Sequence, residues 1–205
     1  MEILATAGRT LAFSLAAGVN LYATVAMLGL AVRFDLVALP PQFAFFDNDW
    51  IIGAALVLYV IEFVADKVPW VDSLWDAVHT VVRPLGGALV AVTTLGEASP
   101  WLQVLIAAAG GTLAAGGHFT KAGTRAAVNV SPEPFSNWVF SVAEDLFVVG
   151  LGLLAFAFPI AALVVTVACV LVIVLAARKL IRWLRRAASA APPDDVSAPP
   201  TTLTA

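Results

Sequence analysis

The sequence is poor in charged residues and contains a single cysteine. Asp, Glu, Lys and Arg make up 12% of the 205 residues, whereas hydrophobic residues make up 61%. Soluble domains carry about 25% charged residues, so this composition excludes an ordinary water-soluble fold. Cys169 alone excludes an intrachain disulfide and cannot build a metal site by itself. The basic residues form no broad surface, so we expect the lipid bilayer, and no nucleic acid, as a partner.

The sequence instead contains long apolar runs, and six apolar segments are predicted to be membrane helices. They cover residues 10–32, 50–68, 85–95, 101–128, 136–158 and 159–184. A run of about 20 apolar residues crosses a hydrocarbon core of ~30 Å. The predicted fold is therefore an all-α, polytopic helical membrane protein with about six spans and a short amphipathic helix. Its helical domain covers residues 1–186, and the Pro- and Ala-rich residues 187–205 are predicted to be a disordered cytoplasmic tail.

The third segment leaves two interpretations open. Residues 71–82 place apolar and ionisable side chains on separate stripes of one amphipathic helix. Because 85–95 is too short to span alone, it either continues that helix through Pro84 or forms a half-helix. The halves 10–95 and 101–186 are also consistent with inverted three-helix repeats.

The positions of Lys and Arg predict the orientation. Basic residues cluster after the last segment, at Arg178, Lys179, Arg182, Arg185 and Arg186. Cytoplasmic loops are enriched in such residues. We therefore expect the protein to lie in the inner membrane with its C-terminus in the cytoplasm. Six crossings then place the N-terminus in the cytoplasm as well. At the opposite side, Asp49 is predicted to cap the second helix.

Ionisable and polar residues recur on one face of several segments, at steps of three and four. The candidate ion, proton or solute pathway consists of Glu62, Asp66, Lys67, Asp72, Asp76, His79, Arg83, His118, Lys121, Arg125, Asn137, Ser141, Glu144 and Asp145. Acids inside a membrane segment cost at least ~2.5 kcal/mol each and are functional hypotheses by default. The tight repeat of small residues in 107–115 indicates that the 101–128 helix packs closely against protein. We therefore expect these polar faces to meet inside the bundle.

Structural roles for the same residues remain open alternatives. Glu62 is equally consistent with an ion pair to Lys67 or Arg83 at a helix end. Likewise, Glu144 and Asp145 are consistent with neutralising the basic residues of the preceding helix. Asn20, midway along the first segment, is predicted to make a hydrogen bond between helices.

Three stretches identify a resemblance to a known group. The stretches "EFVADKVPWVDSLWDAVHTVVRP", "HFTKAGTRAAVNVSPEPFSNW" and "SVAED" resemble the bacterial membrane proteins of the domain-of-unknown-function-4126 family. This resemblance covers roughly residues 10–186; it implies a membrane topology and no activity. The spacing of Glu62, Asp66 and Lys67 is also similar to the motif of two-repeat cation/proton exchangers, although Ala65 occupies the position of their usual Gly.

Three functions follow as hypotheses. The first is transport or permeation of a small solute or ion through a charged cavity that faces the cytoplasm. The second is a membrane-embedded enzyme in which Asp72, Asp76 and His79 bind a divalent ion. The third is a non-catalytic scaffold subunit. The sequence contains no cofactor motif and no signature of a common embedded enzyme; the substrate and the oligomeric state are left open.

Overall fold

A computed structural model of the protein describes residues 1–129 and 134–190, and it is 89% helical. The helices are α1 (Glu2–Val19), α2 (Leu21–Arg33), α3 (Asp49–Ala65), α4 (Pro69–Leu95), α5 (Pro100–Asn129), α6 (Pro134–Ala157) and α7 (Pro159–Ala190), with a 3-10 helix at Pro41–Phe46. No strand occurs in these residues. The all-α prediction is therefore confirmed.

The chain divides into two compact units, Met1–Ile173 and Val174–Ala205. The first contains α1 to α6 and the beginning of α7. In the described residues, the second consists of the remainder of α7. This helix ends at Ala190, so it extends past residue 187, where the tail was predicted to begin; residues 191–205 lie outside the described part of the chain.

Four helices are long and apolar enough to cross a membrane. They are Trp70–Leu95, Pro100–Val128, Trp138–Ala157 and Pro159–Arg186. α3 has 17 residues, which gives about 26 Å at 1.5 Å per residue. The fold is thus that of a helical membrane protein, whereas the predicted count of six spans is not confirmed.

The first predicted span is a hairpin of two helices, with its tip at Asn20. Near the start of the hairpin, the Thr94 hydroxyl donates to the Thr10 hydroxyl at 3.2 Å. Just after its second arm, the Gln42 amide donates to the main-chain carbonyl of Thr94 at 3.3 Å. Both open ends of the hairpin therefore meet the same end of α4. The prediction that residues 10–32 form one continuous span was wrong.

Asn20 makes this reversal by leaving the helical conformation. Its φ of −145° and ψ of 100° are extended, and its side-chain oxygen accepts from the Ala23 amide at 2.9 Å, which caps α2. Its side-chain nitrogen donates to Asp145 at 3.1 Å, which confirms the predicted bond between helices. Non-helical backbone at membrane depth is tolerated where protein surrounds it, and Asn20 is fully buried.

α1, α4 and α5 pack closely together in the first unit, because small residues let these helices approach. A methyl group added at Gly18 would overlap Ala114 of α5, and one added at Gly87 of α4 would overlap the same residue. Gly110 of α5 faces Ala91 of α4 in the same way. The predicted close packing of the fifth helix is present. Gly110 and Ala114 make its tightest contacts, one position away from the expected repeat.

α4 is an amphipathic helix that buries its polar face and exposes its apolar face. Asp72 and Arg83 are 1% and 0% exposed, whereas Leu74 and Leu85 are 62% and 66% exposed. This inside-out arrangement suits lipid surroundings, because no lipid tail can solvate a charge. α4 also continues unbroken through Pro84, which decides between the two interpretations of the third segment in favour of one long helix.

The cap of α3 differs from the prediction. Asn48 is the N-cap, and its side-chain oxygen accepts from the Trp50 and Ile51 amides at 2.9 and 3.3 Å. Asp49 is the first residue of the helix, and its exposed carboxylate instead forms an ion pair with Arg33. An asparagine preferred at caps stands directly before the predicted position, so the error is one residue.

The hairpin makes a direct prediction for labelling. In a Cys169→Ala background, single cysteines at Glu2 and Glu97 should react with a membrane-impermeant maleimide from one side of sealed, uniformly oriented vesicles. A cysteine at Val68 should react only from the other side. Labelling of Glu2→Cys from the same side as Val68→Cys would mean that the first segment crosses the membrane, and it would refute the hairpin.

Candidate functional site: a buried cluster of charged residues

The polar faces of α3, α4, α5 and α6 meet inside the first unit. Arg83 of α4 forms the central ion pair, because its Nη2 lies 2.6 Å from Oε1 of Glu62 in α3. Nζ of Lys121 in α5 approaches the same Glu62 oxygen at 3.1 Å. All three side chains are buried. Of the two structural partners left open for Glu62, the structure brings Arg83 to it.

A second set of ion pairs adjoins the first through Lys121. Its Nζ also lies 2.9 Å from Oδ2 of Asp66, and Nη2 of Arg125 lies 3.3 Å from the same atom. Arg125 then contacts Glu144 of α6 at 2.7 Å. Its Nη1 also donates to the main-chain carbonyl of Asp66 at the end of α3, at 3.0 Å. Arg125 therefore joins three helices.

The remaining predicted residues lie just after α3 or in α6. Lys67 donates to the Phe63 carbonyl at 2.7 Å and to the buried Ser141 hydroxyl at 3.3 Å. Asp145 accepts the bond from Asn20; it does not share the Glu144 ion pair with Arg125. Asn137 belongs to α6, but its side chain lies outside the described residues.

His118 is held as a neutral ring by its neighbours. Nη1 of Arg83 must donate, so Nδ1 of His118, 2.9 Å away, is the acceptor and carries no proton. The proton of the ring is then on Nε2, which lies 3.0 Å from the Thr80 hydroxyl. Thr80 in turn donates to the main-chain carbonyl of Asp76 at 3.0 Å. Protonation of His118 at Nδ1 would require loss of its contact with Arg83.

His79 faces the hairpin, away from the acids of its own helix. Its Nδ1 lies 2.7 Å from the Trp75 carbonyl, and its Nε2 lies 2.9 Å from the Tyr22 hydroxyl. It therefore does not join Asp72 and Asp76 in the predicted metal site. Across the described ranges, no group of three His, Cys, Asp or Glu side chains is arranged to hold a metal ion.

The tip of the hairpin closes one side of the cluster. Tyr22 reaches His79, and Asn20 reaches Asp145, so the tip contacts both α4 and α6. Sequence reasoning missed Tyr22 and Thr80 as members of the site. Tyr22 lies two residues from Asn20 in an apolar run. Two polar side chains so close together in the middle of a predicted span were the sequence signal that could have identified Tyr22 as part of the site.

The cluster carries more carboxylates than cations. In the described part of the first unit, the carboxylates of the cluster are Glu62, Asp66, Asp72, Asp76, Glu144 and Asp145. The cations of the cluster are Lys67, Arg83, Lys121 and Arg125. Leaving the two histidines aside, six carboxylates and four cations leave an excess of two negative charges.

A polar cleft opens beside the cluster, between α4 and α5. Its volume is about 270 Å³, and its walls include Asp72, Asp76, Thr80, His118 and Arg125. All of these residues except Thr80 belong to the two polar faces that the sequence predicted. The cleft therefore lies directly beside the buried ion pairs.

An ion pair at the other end of the unit lies at the surface. Arg33 lies 2.8 Å from Asp47, and these side chains are 32% and 39% exposed. Exposed ion pairs contribute roughly 0–1 kcal/mol. The pair of Arg33 and Asp47 therefore serves as an exposed control for variants of the buried ion pairs.

Inside-out helices, a hairpin that returns to its own side and a buried charged cluster define the chain as a polytopic membrane protein with an internal polar site. Residues 7–179 match the family described as Domain of unknown function (DUF4126), and the chain belongs to that family. This confirms the resemblance of the three stretches. No curated protein and no solved structure shows significant similarity to the chain.

The central ion pair makes a prediction for stability. Arg83→Met should lower the free energy of unfolding in detergent by about 3–5 kcal/mol, because it leaves Glu62 charged and buried without its closest partner. The double variant Glu62→Gln with Arg83→Met should recover part of that loss. Arg33→Gln, at the surface, should change stability by less than about 1 kcal/mol. An Arg83→Met protein as stable as wild type would show that the pair is not formed.

Proposed function

We propose that the protein transports a small ion or solute across the cytoplasmic membrane through the buried cluster. The observation that carries this proposal is the excess of two carboxylates over cations in the cluster. An uncompensated charge in a low-dielectric interior is strongly unfavourable. The excess is therefore neutralised by protons or by a bound cation, and a group that exchanges its counter-ion is what a coupled transporter requires.

The proposed path begins in the polar cleft. A cation that enters beside Asp76 is next to Arg83, whose Nη1 lies 3.3 Å from the Asp76 carboxylate. From there the path continues along the ion pair of Arg83 with Glu62 toward α3. The side chains at the hairpin tip close the other end of the path. Movement of the tip away from His79 and Asp145 opens this end, so the hairpin acts as the gate in the proposal.

The proposed orientation places the basic end of the cluster in the cytoplasm, together with the C-terminus. Lys67, Lys121 and Arg125 belong to that end, and cytoplasmic enrichment of basic residues supports the assignment. A cytoplasmic N-terminus, expected from six crossings, does not agree with the hairpin. α1 begins beside the junction of α6 and α7, at the opposite end, so we propose an external N-terminus.

A purely structural role as a scaffold subunit is the second candidate. The observation that favours it is the dense network around Lys121 and Arg125, which joins three helices. Ion pairs of this kind also fix the register of helices without any transport. The two candidates differ in whether neutralising an acid changes flux while the fold is retained.

The experiment is a flux assay in proteoliposomes, with a proton-sensitive dye inside and imposed gradients of protons, Na⁺ or K⁺. Asp145→Asn removes one charge and keeps an oxygen that accepts from Asn20, so the fold should persist. We expect its protein-dependent flux to fall at least tenfold, and Glu62→Gln to do the same. Asp49→Asn, at the exposed end, should retain full flux.

Two results would contradict the transport proposal. One is full flux in both Asp145→Asn and Glu62→Gln. The other is wild-type protein that carries no flux above empty liposomes under any of these gradients, which would favour the scaffold.

A further inference from the structure

α7 changes from an apolar helix to a basic one at Arg178. From Pro159 to Ala177 the helix contains no Asp, Glu, Lys or Arg. This stretch is about 28 Å long at 1.5 Å per residue, close to the ~30 Å of a hydrocarbon core. The residues that follow, Arg178 to Arg186, include five cations, and we name them the basic segment. If the apolar part of α7 spans the bilayer, the basic segment begins at the membrane surface.

The basic segment separates its cations from its large apolar side chains. At about 100° per residue, the cations fall within an arc of roughly 120°: Arg178, Lys179, Arg182, Arg185 and Arg186. The opposite face holds large apolar side chains that are 49–63% exposed: Leu180, Ile181, Trp183 and Leu184. A basic face opposite an apolar face that includes Trp is typical of helices that contact the membrane interface.

The chain supplies little negative charge to the basic face. No acid occurs in the sequence between Asp145 and Asp194. Nε of Arg182 donates to the main-chain carbonyl of Arg178 at 3.3 Å, a contact that neutralises neither residue. Asp194 and Asp195 lie outside the described residues, and five cations minus these two carboxylates still leave a net charge of +3. The basic face therefore attracts anions from outside the chain.

Two simpler roles of basic residues account for only part of this pattern. Cations stabilise the negative end of a helix within about its last turn, but α7 ends at Ala190, about three turns beyond Arg178 and Lys179. Cations next to a span also set its orientation. Orientation does not require that the cations share one face, whereas binding of an anionic surface does.

We propose that the basic segment binds anionic phospholipids, with its cations on the headgroup phosphates and its apolar face against the acyl chains. Four of the five cations are arginines, and a guanidinium group donates two parallel hydrogen bonds to a phosphate. A zwitterionic headgroup carries its own cation, which opposes this attraction, so the segment selects lipids of net negative charge. This inference goes beyond the proposed transport and does not depend on it.

The test is native mass spectrometry of the purified full-length protein, titrated with phosphatidylglycerol or with phosphatidylcholine of the same acyl chains. The two lipids differ in net charge and share their apolar part. We expect phosphatidylglycerol to bind at least tenfold more tightly. Equal affinity for the two lipids would overturn the proposal.

Matched variants locate the lipid site. Each Lys or Arg near an anionic membrane surface strengthens binding about fivefold, so Arg182→Gln with Arg186→Gln should weaken phosphatidylglycerol binding at least tenfold. Arg182→Lys with Arg186→Lys keeps both charges and should stay within threefold of wild type. Arg33→Gln, which removes an exposed cation outside the segment, should not change binding. All of these side chains lie at the surface or are partly exposed, so the fold should persist. An undiminished preference in the double Gln variant would overturn the segment as the site.

The same spectra distinguish two other occupants. Glycerol phosphate has the headgroup charge without acyl chains, and a hundredfold excess of it should not displace phosphatidylglycerol. Full displacement would assign the basic face to a soluble phosphate and overturn the lipid proposal. A dimer that Leu180→Asn with Leu184→Asn dissociates, without any lipid preference, would assign the apolar face to a second copy of the chain and also overturn it.

Discussion

The buried ion pair between Arg83 and Glu62 is the interaction on which the rest of the structure depends. Its atoms lie 2.6 Å apart with both side chains fully buried, in a protein whose outer surface is apolar. Since lipid tails cannot solvate either group, the polar stripes of α3 and α4 must turn toward each other. Lys121 reaches the same Glu62 oxygen, so α5 is oriented by the same pair. The packing of the bundle follows from satisfying these charges.

The hairpin complements that arrangement from the other side. Asn20 interrupts the first segment, and its side chain satisfies both the amide of Ala23 and the carboxylate of Asp145. Glycines then allow the two arms to lie deep among the other helices, as at Gly18 against Ala114. The tip meets the cluster without crossing the membrane. A cluster with a surplus of acids, with the hairpin tip hydrogen-bonded at its edge, is the physical basis for the proposed transport.

Much of the site was predictable from spacing. Steps of three and four between His118, Lys121 and Arg125 place them on one helix face, and a chain with so few charges does not turn such a face to lipid. The convergence of these faces followed from that argument. The individual partners did not, because spacing within a helix carries no information about which neighbour it meets. Asp145 thus bonds Asn20 of the hairpin, whereas Glu144 beside it pairs with Arg125.

The hairpin was not predictable in the same way. Residues 10–32 have the length and hydropathy of a span, and no Gly-Pro break marks the turn. The contacts of Thr10 and Gln42 with Thr94, together with the extended backbone of Asn20, show that the chain returns. Asn20 and Tyr22 can be recognised in the sequence as polar residues of an apolar segment. Their structural roles depend on partners more than 50 residues away in the chain. Hydropathy counts apolar length and cannot distinguish a crossing from a return.

The central claim is that the surplus carboxylates exchange protons for a cation. Infrared difference spectroscopy of the protein in lipid, with and without the cation that drives flux, tests it most directly. We expect a carbonyl band of protonated carboxylic acid that diminishes when the cation is added, and a smaller change in Asp145→Asn. A spectrum with every carboxylate ionised, and with no change on adding protons or cation, would contradict the account.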